Sequence, residues 1–250
     1  MKKLAILSDI HGNLHALDAV LNALEQHSPD LTINLGDLFS GGLQPKATAE
    51  RVRSLDHLVV RGNHERQLLE GAQSQSDLLA SQELSSDDLN WIAGLPTRIE
   101  PIPGVICIHG SPRSDSEYLL DTVDEHGAHI STEEEVYERL SNCLEAKVVV
   151  CGHSHLSRVV TLSNGILVVN PGSVGWPAYS DDVLYPHIME SGTPHARFAL
   201  LEWKENDWKA SIHTIEYDWE AAARIAEQNN RVEIAYNLRT GRSHPVPLSN

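Results

Sequence analysis

Short apolar runs and amphipathic stretches alternate through the first half of the chain. Lys3–Leu7, Leu31–Leu35 and His57–Val60 each read as a strand. Between and after them lie helical patterns. His15–Gln26 carries Leu17, Val20, Leu21 and Leu24 on one repeat, Pro45–Arg53 opens on a proline suited to a first turn, and Glu65–Ala72 follows the third strand. Ser85 or Ser86 caps a further helix through Trp91, with Asp87 and Asp88 in its first turn. Strand–helix–strand units of this kind imply a parallel sheet with right-handed crossovers. The second half is richer in strands. Val105–Ile108 and Lys147–Val150 are short and apolar, Arg158–Leu162 and Ile166–Val169 flank a turn at Ser163-Asn164-Gly165, and Phe198–Trp203 and Trp208–Ile212 flank another. A second, mixed sheet packed on the first is expected. Glu133-Glu134-Glu135 reads as the solvated start of a helix after Ser131 and Thr132, and Trp219–Gln228 as the last helix. The tail beyond, through His244-Pro245-Val246-Pro247, reads as extended.

The polar positions sharpen this picture. Five clusters sit where strands end: Asp9-Ile10-His11-Gly12-Asn13, Gly36-Asp37, Gly62-Asn63-His64-Glu65, His109-Gly110 and Gly152-His153-Ser154-His155. In open α/β sheets ligands bind beyond the carboxyl ends of the strands, which is where these clusters fall. Asp9, Asp37, Asn63 and the five histidines are hard and borderline ligand types, enough to hold two divalent ions with one aspartate shared. Asp9 and His11 are two residues apart, as are His153 and His155, so in extended geometry each pair projects to one side. A carboxylate such as Asp37 can bridge two ions and relieve their repulsion. Asn63 offers a neutral oxygen, and the neighbouring glycines permit sharp turns and close backbone approach.

Composition sets the bounds. The chain has 250 residues, 41% of them hydrophobic, enough for the core of one sizeable α/β domain. No compositional shift marks a boundary, so 1–250 reads as a single domain, with insertions near 111–131 and 175–194 that could shape a pocket. A formal net charge of −16 disfavours duplex nucleic acid as a partner but leaves room for a small phosphorylated substrate, because bound dications would offset local negative charge. Three cysteines, an odd number in a large chain, do not make a disulfide framework. Cys107 and Cys151, each two residues before a candidate ligand, read as small packing residues. No apolar run approaches the ~18 residues of a membrane span, and the apolar stretch near the N-terminus is shorter than the ~7–15 residues of a signal peptide, so no membrane partner and a cytoplasmic location are expected. Nothing in the pattern selects an oligomeric state.

Taken in order, the clusters DIHGN, GD, GNHE, HG and GHSH resemble the calcineurin-like metallophosphoesterases, and more narrowly their small bacterial phosphodiesterase and diadenosine-tetraphosphatase-like branch. Asn170-Pro171-Gly172-Ser173-Val174-Gly175 adds to the likeness, which spans about residues 3 to 175 and extends through the strands around Phe198–Ile212. The resemblance implies a four-layer α/β/β/α sandwich of two mixed sheets flanked by helices, with a dimetal site at the strand carboxyl ends. It implies that Asp9, His11, Asp37 and His155 hold one ion, and that Asp37, Asn63, His109 and His153 hold the other. It makes His64 a catalytic residue rather than a ligand, oriented from a distance by Glu65, which stands where the common motif has aspartate. It gives Asn13 a contact with substrate. The implied cofactors are two divalent ions drawn from Mn, Fe, Zn, Ni, Co or Mg, with Mn or Fe foremost. The implied reaction is in-line attack on a phosphodiester or nucleotide by a hydroxide held between the ions, the pKa of water falling from ~15.7 to about 7. A phosphoprotein phosphatase is the alternative, and a non-catalytic scaffold is disfavoured because the whole ligand set and His64 are present.

Overall fold

Along β1 (Lys3–Leu7) the side chains alternate between two apolar environments rather than between core and solvent. Leu4 and Ile6 face one, Ala5 and Leu7 the other, and all four are fully buried. A strand buried on both faces needs a layer on each side, and that requirement sets the architecture. The computed structural model describes residues 2–72 and 74–244.

In the first sheet β1 pairs in parallel with β2 (Leu31–Asn34), and β2 with β3 (Leu58–Val59). On the other side of β1 the chain returns antiparallel as β13 (Ala196–Lys204), followed by its hairpin partner β14 (Asp207–Ile215). The second sheet has the order β4 (Arg98–Ile102), β5 (Val105–Ile108), β8 (Val148–Val150), β10 (Leu167–Asn170), β9 (Arg158–Thr161). Its three central strands are parallel and its two edge strands antiparallel, so both sheets are mixed.

Three apolar clusters separate four layers. One lies between the first sheet and α1 (Leu14–His27), α2 (Pro45–Arg53), α3 (Asn63–Glu70), α4 (Gln75–Glu83) and α5 (Ser86–Ala93); it joins Ala5, Leu7 and Phe198 to Leu17, Val20, Val52 and Ile92. The second lies between the sheets and joins Leu4, Ile6, Ile33 and Leu201 to Cys107, Val148, Val150 and Val169. The third packs Ile106, Ile108, Val149 and Val168 against Val136 and Leu140 of α6 (Glu133–Leu140). The result is the α/β/β/α sandwich with two mixed sheets flanked by helices. Burial pushes the Cys107 thiol up to about 12, so this cysteine is a packing group and not a thiolate ligand. Cys151 is likewise buried, against the third cluster.

Several elements depart from the sequence reading. The chain past α7 (Trp219–Gln228) is not an extended tail: α8 (Val232–Thr240) follows, ends at Gly241 in left-handed conformation, and packs Ile234, Ala235 and Leu238 against Ala222, Ala223 and Ala226 of α7. His244 is described, whereas Pro245, Val246 and Pro247 lie outside the described residues. Edge strand β4 contains Pro101 and a register irregularity between Ile99 and Ile102, and a proline is tolerated at a sheet edge. The two segments read as insertions each contain a two-stranded hairpin, β6 (Asp121–Asp124) with β7 (Gly127–Ile130) and β11 (Ala178–Asp181) with β12 (His187–Glu190). No helix among the described residues is long and apolar enough to cross a membrane.

Ile6 lies in the dry layer between the sheets. Truncation to alanine should cost about 2–5 kcal/mol through lost burial and a residual cavity, read as a lower midpoint with unchanged slope in urea unfolding.

Candidate metal centre

The ligand-bearing turns are built from strained backbone. Asp9, His11, Asp37, His153 and His155 all adopt left-handed φ, between 51° and 67°. Non-glycine residues pay for that region on the order of 1–2 kcal/mol each, so surrounding contacts must hold them there. Those contacts are present. Asp9 N donates to Gly36 O (3.0 Å), His11 N to Asp37 O (2.9 Å) and Gly12 N to Leu38 O (2.9 Å), lacing the loop after β1 to the loop after β2. The Asn170–Gly175 turn supports Asp9 from the other side, with Ser173 Oγ (2.8 Å) and Gly175 N (2.9 Å) both donating to its carbonyl. Two glycines make room: a Cβ on Gly62 would overlap the Asp37 carboxylate, and one on Gly152 would overlap Ser8 and Asp9.

Two groups of ligand atoms result. Asp9, His11 and His155 bring one atom each within 4.8 Å of one another, and so do Asp37, His109 and His153. The imidazoles are oriented by backbone carbonyls. His11 Nδ1 faces Ser40 O, His155 Nδ1 faces Trp176 O (2.6 Å), and His109 Nδ1 faces Leu35 O (2.9 Å). Each Nδ1 must therefore carry the proton, which turns Nε2 inward. The consequence is a set of polar atoms that converge on one another. His11 Nε2 lies 3.0 Å from His155 Nε2, and His109 Nε2 lies 2.9 Å from Asn63 Oδ1. Between His11 and His155, whose Nδ1 protons are turned to carbonyls, no proton is available to share, and a divalent cation is what reconciles them. Burial pulls His109 down, but Asp37 more than reverses this and raises it to about 10, so without a cation its Nε2–H donates to Asn63 Oδ1, and a cation would take that proton's place. Asp9 Oδ1, buried without a hydrogen-bond partner, makes the same demand. The residues fit the metal ions.

Protonation favours the same use. Burial, aided by the His155 imidazole, brings His11 down to about 3. Burial and His109 bring His153 down to about 4. Both are therefore neutral, ligand-competent imidazoles at physiological pH. Burial alone would raise Asp37, but the imidazoles of His109 and His64 outweigh it and hold the carboxyl well below its ordinary range. Asp37 Oδ2 is 3.2 Å from His109 Nε2 and 3.9 Å from His11 Nε2, so one oxygen reaches a donor in each group.

His64 stands apart from these donors. It lies in the first turn of α3, where its N–H donates to Asp37 Oδ1 (3.0 Å) and its Nδ1 meets Asp77 Oδ1 at 2.8 Å. Burial pulls its pKa down, but Asp37 and Asp77 more than reverse this and raise it to about 9, leaving an imidazolium near neutrality. Glu65 does not orient His64. It is fully buried, and its carboxylate accepts from the N–H groups of Asp37 (2.8 Å), Leu38 (2.8 Å) and Gly62 (3.0 Å), clamping the Asp37 loop to the start of α3. The orienting carboxylate is Asp77 on α4, which sequence reasoning missed. The available signal was Ser74-x-x-Asp77, a helix-start pattern in which Ser74 Oγ accepts from Asp77 N and donates to its carboxylate.

Asn13 is placed differently from the expected substrate contact. It caps α1 by accepting from Ala16 N (3.1 Å), donates to Gly175 O (2.9 Å) and Tyr217 OH (3.2 Å), and is only 1% exposed. It is absent from the cavity lining, whereas His11, Asp37, Asn63, His64, His153 and His155 form the floor of a cavity of about 320 Å³. The two hairpin segments pack against the imidazoles of that floor, Tyr118 from outside the cavity and Tyr179 from its lining. The Tyr118 ring lies 4.7 Å from His153, the Tyr179 ring 4.7 Å from His155, and the two hydroxyls meet at 2.7 Å. His187, at 3.0 Å from Tyr118 OH, joins this network rather than the cavity.

Two mixed sheets with carboxylate, carboxamide and imidazole donors converging beyond one end make an α/β/β/α scaffold built around two candidate metal-ligand groups. Residues 2–157 match the family described as Calcineurin-like phosphoesterase, and the chain belongs to it. It is therefore a metal-binding hydrolase of phosphoesters. It is 29% identical over 259 residues to an uncharacterized protein, MJ0912, of Methanocaldococcus jannaschii, spanning 92% of this chain and 94% of that one. The crystal structure of a metallophosphoesterase from Sphaerobacter thermophilus superposes with a TM-score of 0.73 at 22% identity, covering 96% of this chain and 99% of that one. The crystal structure of hypothetical protein PH1004 from Pyrococcus horikoshii superposes at 0.75 and 19% identity, covering 98% and 100%. At those identities the likeness establishes the fold.

Replacing Glu65 with alanine strands three buried N–H groups and should cost roughly 3–5 kcal/mol, with bound metal falling in step when measured by elemental analysis. Asp77→Asn should keep the metal but lower kcat roughly 10–100-fold, since only the orientation and charge balance of His64 change.

Proposed function

We propose that the chain is a dinuclear metal-dependent hydrolase of phosphodiester or nucleotide substrates that works by direct in-line attack of water on phosphorus. The observation that carries this reading is Asp37 Oδ2, one carboxylate oxygen within 4.0 Å of imidazole nitrogens from both ligand groups. Asp9, His11, Asp37 and His155 would hold one ion, and Asp37, Asn63, His109 and His153 the other. Divalent ions there supply Lewis acidity that makes water nucleophilic near neutrality and neutralises the charge of the phosphoryl oxygens. A donor set without thiolate suits manganese or iron.

The protein's own groups do the rest. His64 turns its Nδ1 to Asp77, which leaves Nε2 to serve the cavity that the ring lines. As an imidazolium it can hand a proton to the departing oxygen and is restored by the next water. Ser8, Ser111 and Ser154, the serines beside the ligand clusters, take no nucleophilic role. Ser8 and Ser154 are buried, and Ser111 bonds Glu117. A phosphoprotein would have to bring its backbone past Trp176 and α8, which also line the cavity, so a small substrate fits better.

Metal-loaded protein should hydrolyse bis-p-nitrophenyl phosphate and bind two divalent ions per chain. His64→Asn should retain both ions and lose roughly 10²–10⁴-fold in kcat. Undiminished turnover by that variant would remove His64 from the reaction, and undiminished turnover after exhaustive chelation would end the metal-dependent reading altogether.

A further inference from the structure

The outer wall of the cavity has a character unlike its floor. Arg231, the residue before α8, lines it with a side chain only 13% exposed. Its Nη1 donates to Ser76 Oγ of α4 (2.8 Å) and its Nε to Glu233 of α8 (2.5 Å), while its stem packs on Gly42. The guanidinium is thus fixed between α4 and α8, with its stem against the Gly42 turn. It is the only arginine or lysine among the described residues of the lining, and the undescribed Gln73 and 245–250 carry neither type. Glu233 and Asp181 line the same wall, so its fixed side chains sum to a negative charge. Trp176 and Tyr179 add aromatic surface.

Charge and size together select a substrate class. Two dications set against Asp9 and Asp37 leave the floor with countercharge for one phosphoryl dianion. A second or third phosphate would lie against a wall with one guanidinium, already paired, and two carboxylates. The cavity of about 320 Å³ lies near the lower end of the ~300–1,000 Å³ usual for small-molecule sites. Both features weigh against dinucleoside polyphosphates. What the wall does offer is donors and acceptors side by side. Arg231 has five N–H groups, of which Nε and Nη1 each commit one, and Glu233 and Ser76 accept. That is the complement of neighbouring hydroxyls, each of which gives and receives a hydrogen bond. An aromatic face beside it suits the C–H side of a sugar ring or a base.

We propose that the outer half of the cavity is a subsite for a vicinal diol, read by the Arg231–Glu233 pair, and that the substrate is the single-phosphoryl ester of a compact hydroxylated group. The diol can belong to a sugar phosphate or to the ribose of a nucleoside monophosphate. The proposal rests on the phosphoesterase reading above and deepens it by naming the substrate class.

The test uses manganese-loaded protein with ribose 5-phosphate, adenosine monophosphate and its 2′-deoxy analogue, diol-free p-nitrophenyl phosphate, ATP and diadenosine tetraphosphate. Alongside, calorimetry measures the binding of ribose 5-phosphate to chelator-treated protein. The expected result is a kcat/KM for diol-bearing monophosphates about tenfold above their diol-free counterparts, with ATP and diadenosine tetraphosphate slower than both. Preference for ribose 5-phosphate over adenosine monophosphate marks the sugar source, and the reverse marks the nucleotide. Arg231→Met and Glu233→Gln should each cut the diol preference about fivefold, mainly through KM, and weaken the calorimetric affinity in parallel. Glu233→Gln is isosteric and carries the test should Arg231→Met fail to fold. A polyphosphate as the fastest substrate would overturn the proposal, as would a diol preference and affinity unmoved in folded variants. Failure of the native protein to hydrolyse both p-nitrophenyl phosphate and bis-p-nitrophenyl phosphate strikes instead at the phosphoesterase reading, while the calorimetric arm still reports on the subsite.

Discussion

The structure turns on acceptors that face each other. His11 Nε2 and His155 Nε2 stand 3.0 Å apart with their ring protons committed elsewhere, and His109 Nε2 stands 2.9 Å from Asn63 Oδ1, bridged only by a proton that Asp37 holds there in place of a cation. Such an arrangement is unfavourable for the protein alone and is what a cation requires. Its origin lies one shell out. The carbonyls of Ser40, Trp176 and Leu35 capture the Nδ1 protons, and each belongs to a segment far in sequence from the histidine it serves. The centre therefore depends on tertiary structure being complete, because the loops after β2, β5, β8 and β10 must all be docked before any imidazole is correctly turned.

The same dependence explains the strained backbone. Left-handed φ at Asp9, His11, Asp37, His153 and His155 compresses the turns enough to aim ligands inward from two separate sheets. A flexible loop would relax out of that geometry. Here the turns grow directly from strands buried on both faces, and the Glu65 carboxylate fastens the Asp37 turn to α3 with hydrogen bonds to three N–H groups. Placing a buried glutamate there carries its own cost: burial and the neighbouring Asp37 raise its pKa to about 7 despite those three bonds. The rigidity of the sandwich and the strain of the site are two sides of one arrangement, in which packing energy maintains a geometry that local preference opposes.

Much of this was legible in the sequence, and what was not had a physical reason. Strands such as Leu4–Leu7 and Val148–Val150 announce themselves because burial on both faces demands continuous apolar runs. The ligand-bearing clusters announce themselves because donors for one ion must leave the end of one strand within a residue or two of each other. Asp77 was hidden because its contact with His64 is made by tertiary packing of α4, a short helix whose sequence QSDLLASQE lacks a clear apolar face. The role of Glu65 was misread for a related reason: adjacency in sequence suggested a partner for His64, but the first turn of α3 directs Glu65 toward backbone N–H groups instead. Strand β4 was hidden by Pro101, tolerable only because the strand lies at an edge. Helix α8 was hidden by a short, mixed sequence whose stability comes from packing on α7.

That unevenness divides the molecule along a functional line. All the residues of the floor, from His11 to His155, fall inside the stretch 2–157 that matches the family, and all were visible as short motifs. Trp176, Tyr179, Arg231 and Glu233 follow it, on segments whose signals are weak. The chemistry of hydrolysis needs dense donors at fixed spacing, which leaves a local imprint on the sequence. Recognition of the rest of the substrate needs only a few side chains, delivered from anywhere that the chain can be packed against the cavity. The wall can therefore vary while the floor stays in place, and the substrate must be sought in the geometry of α4, α8 and the Trp176–Tyr179 segment rather than in the motifs that declare the reaction.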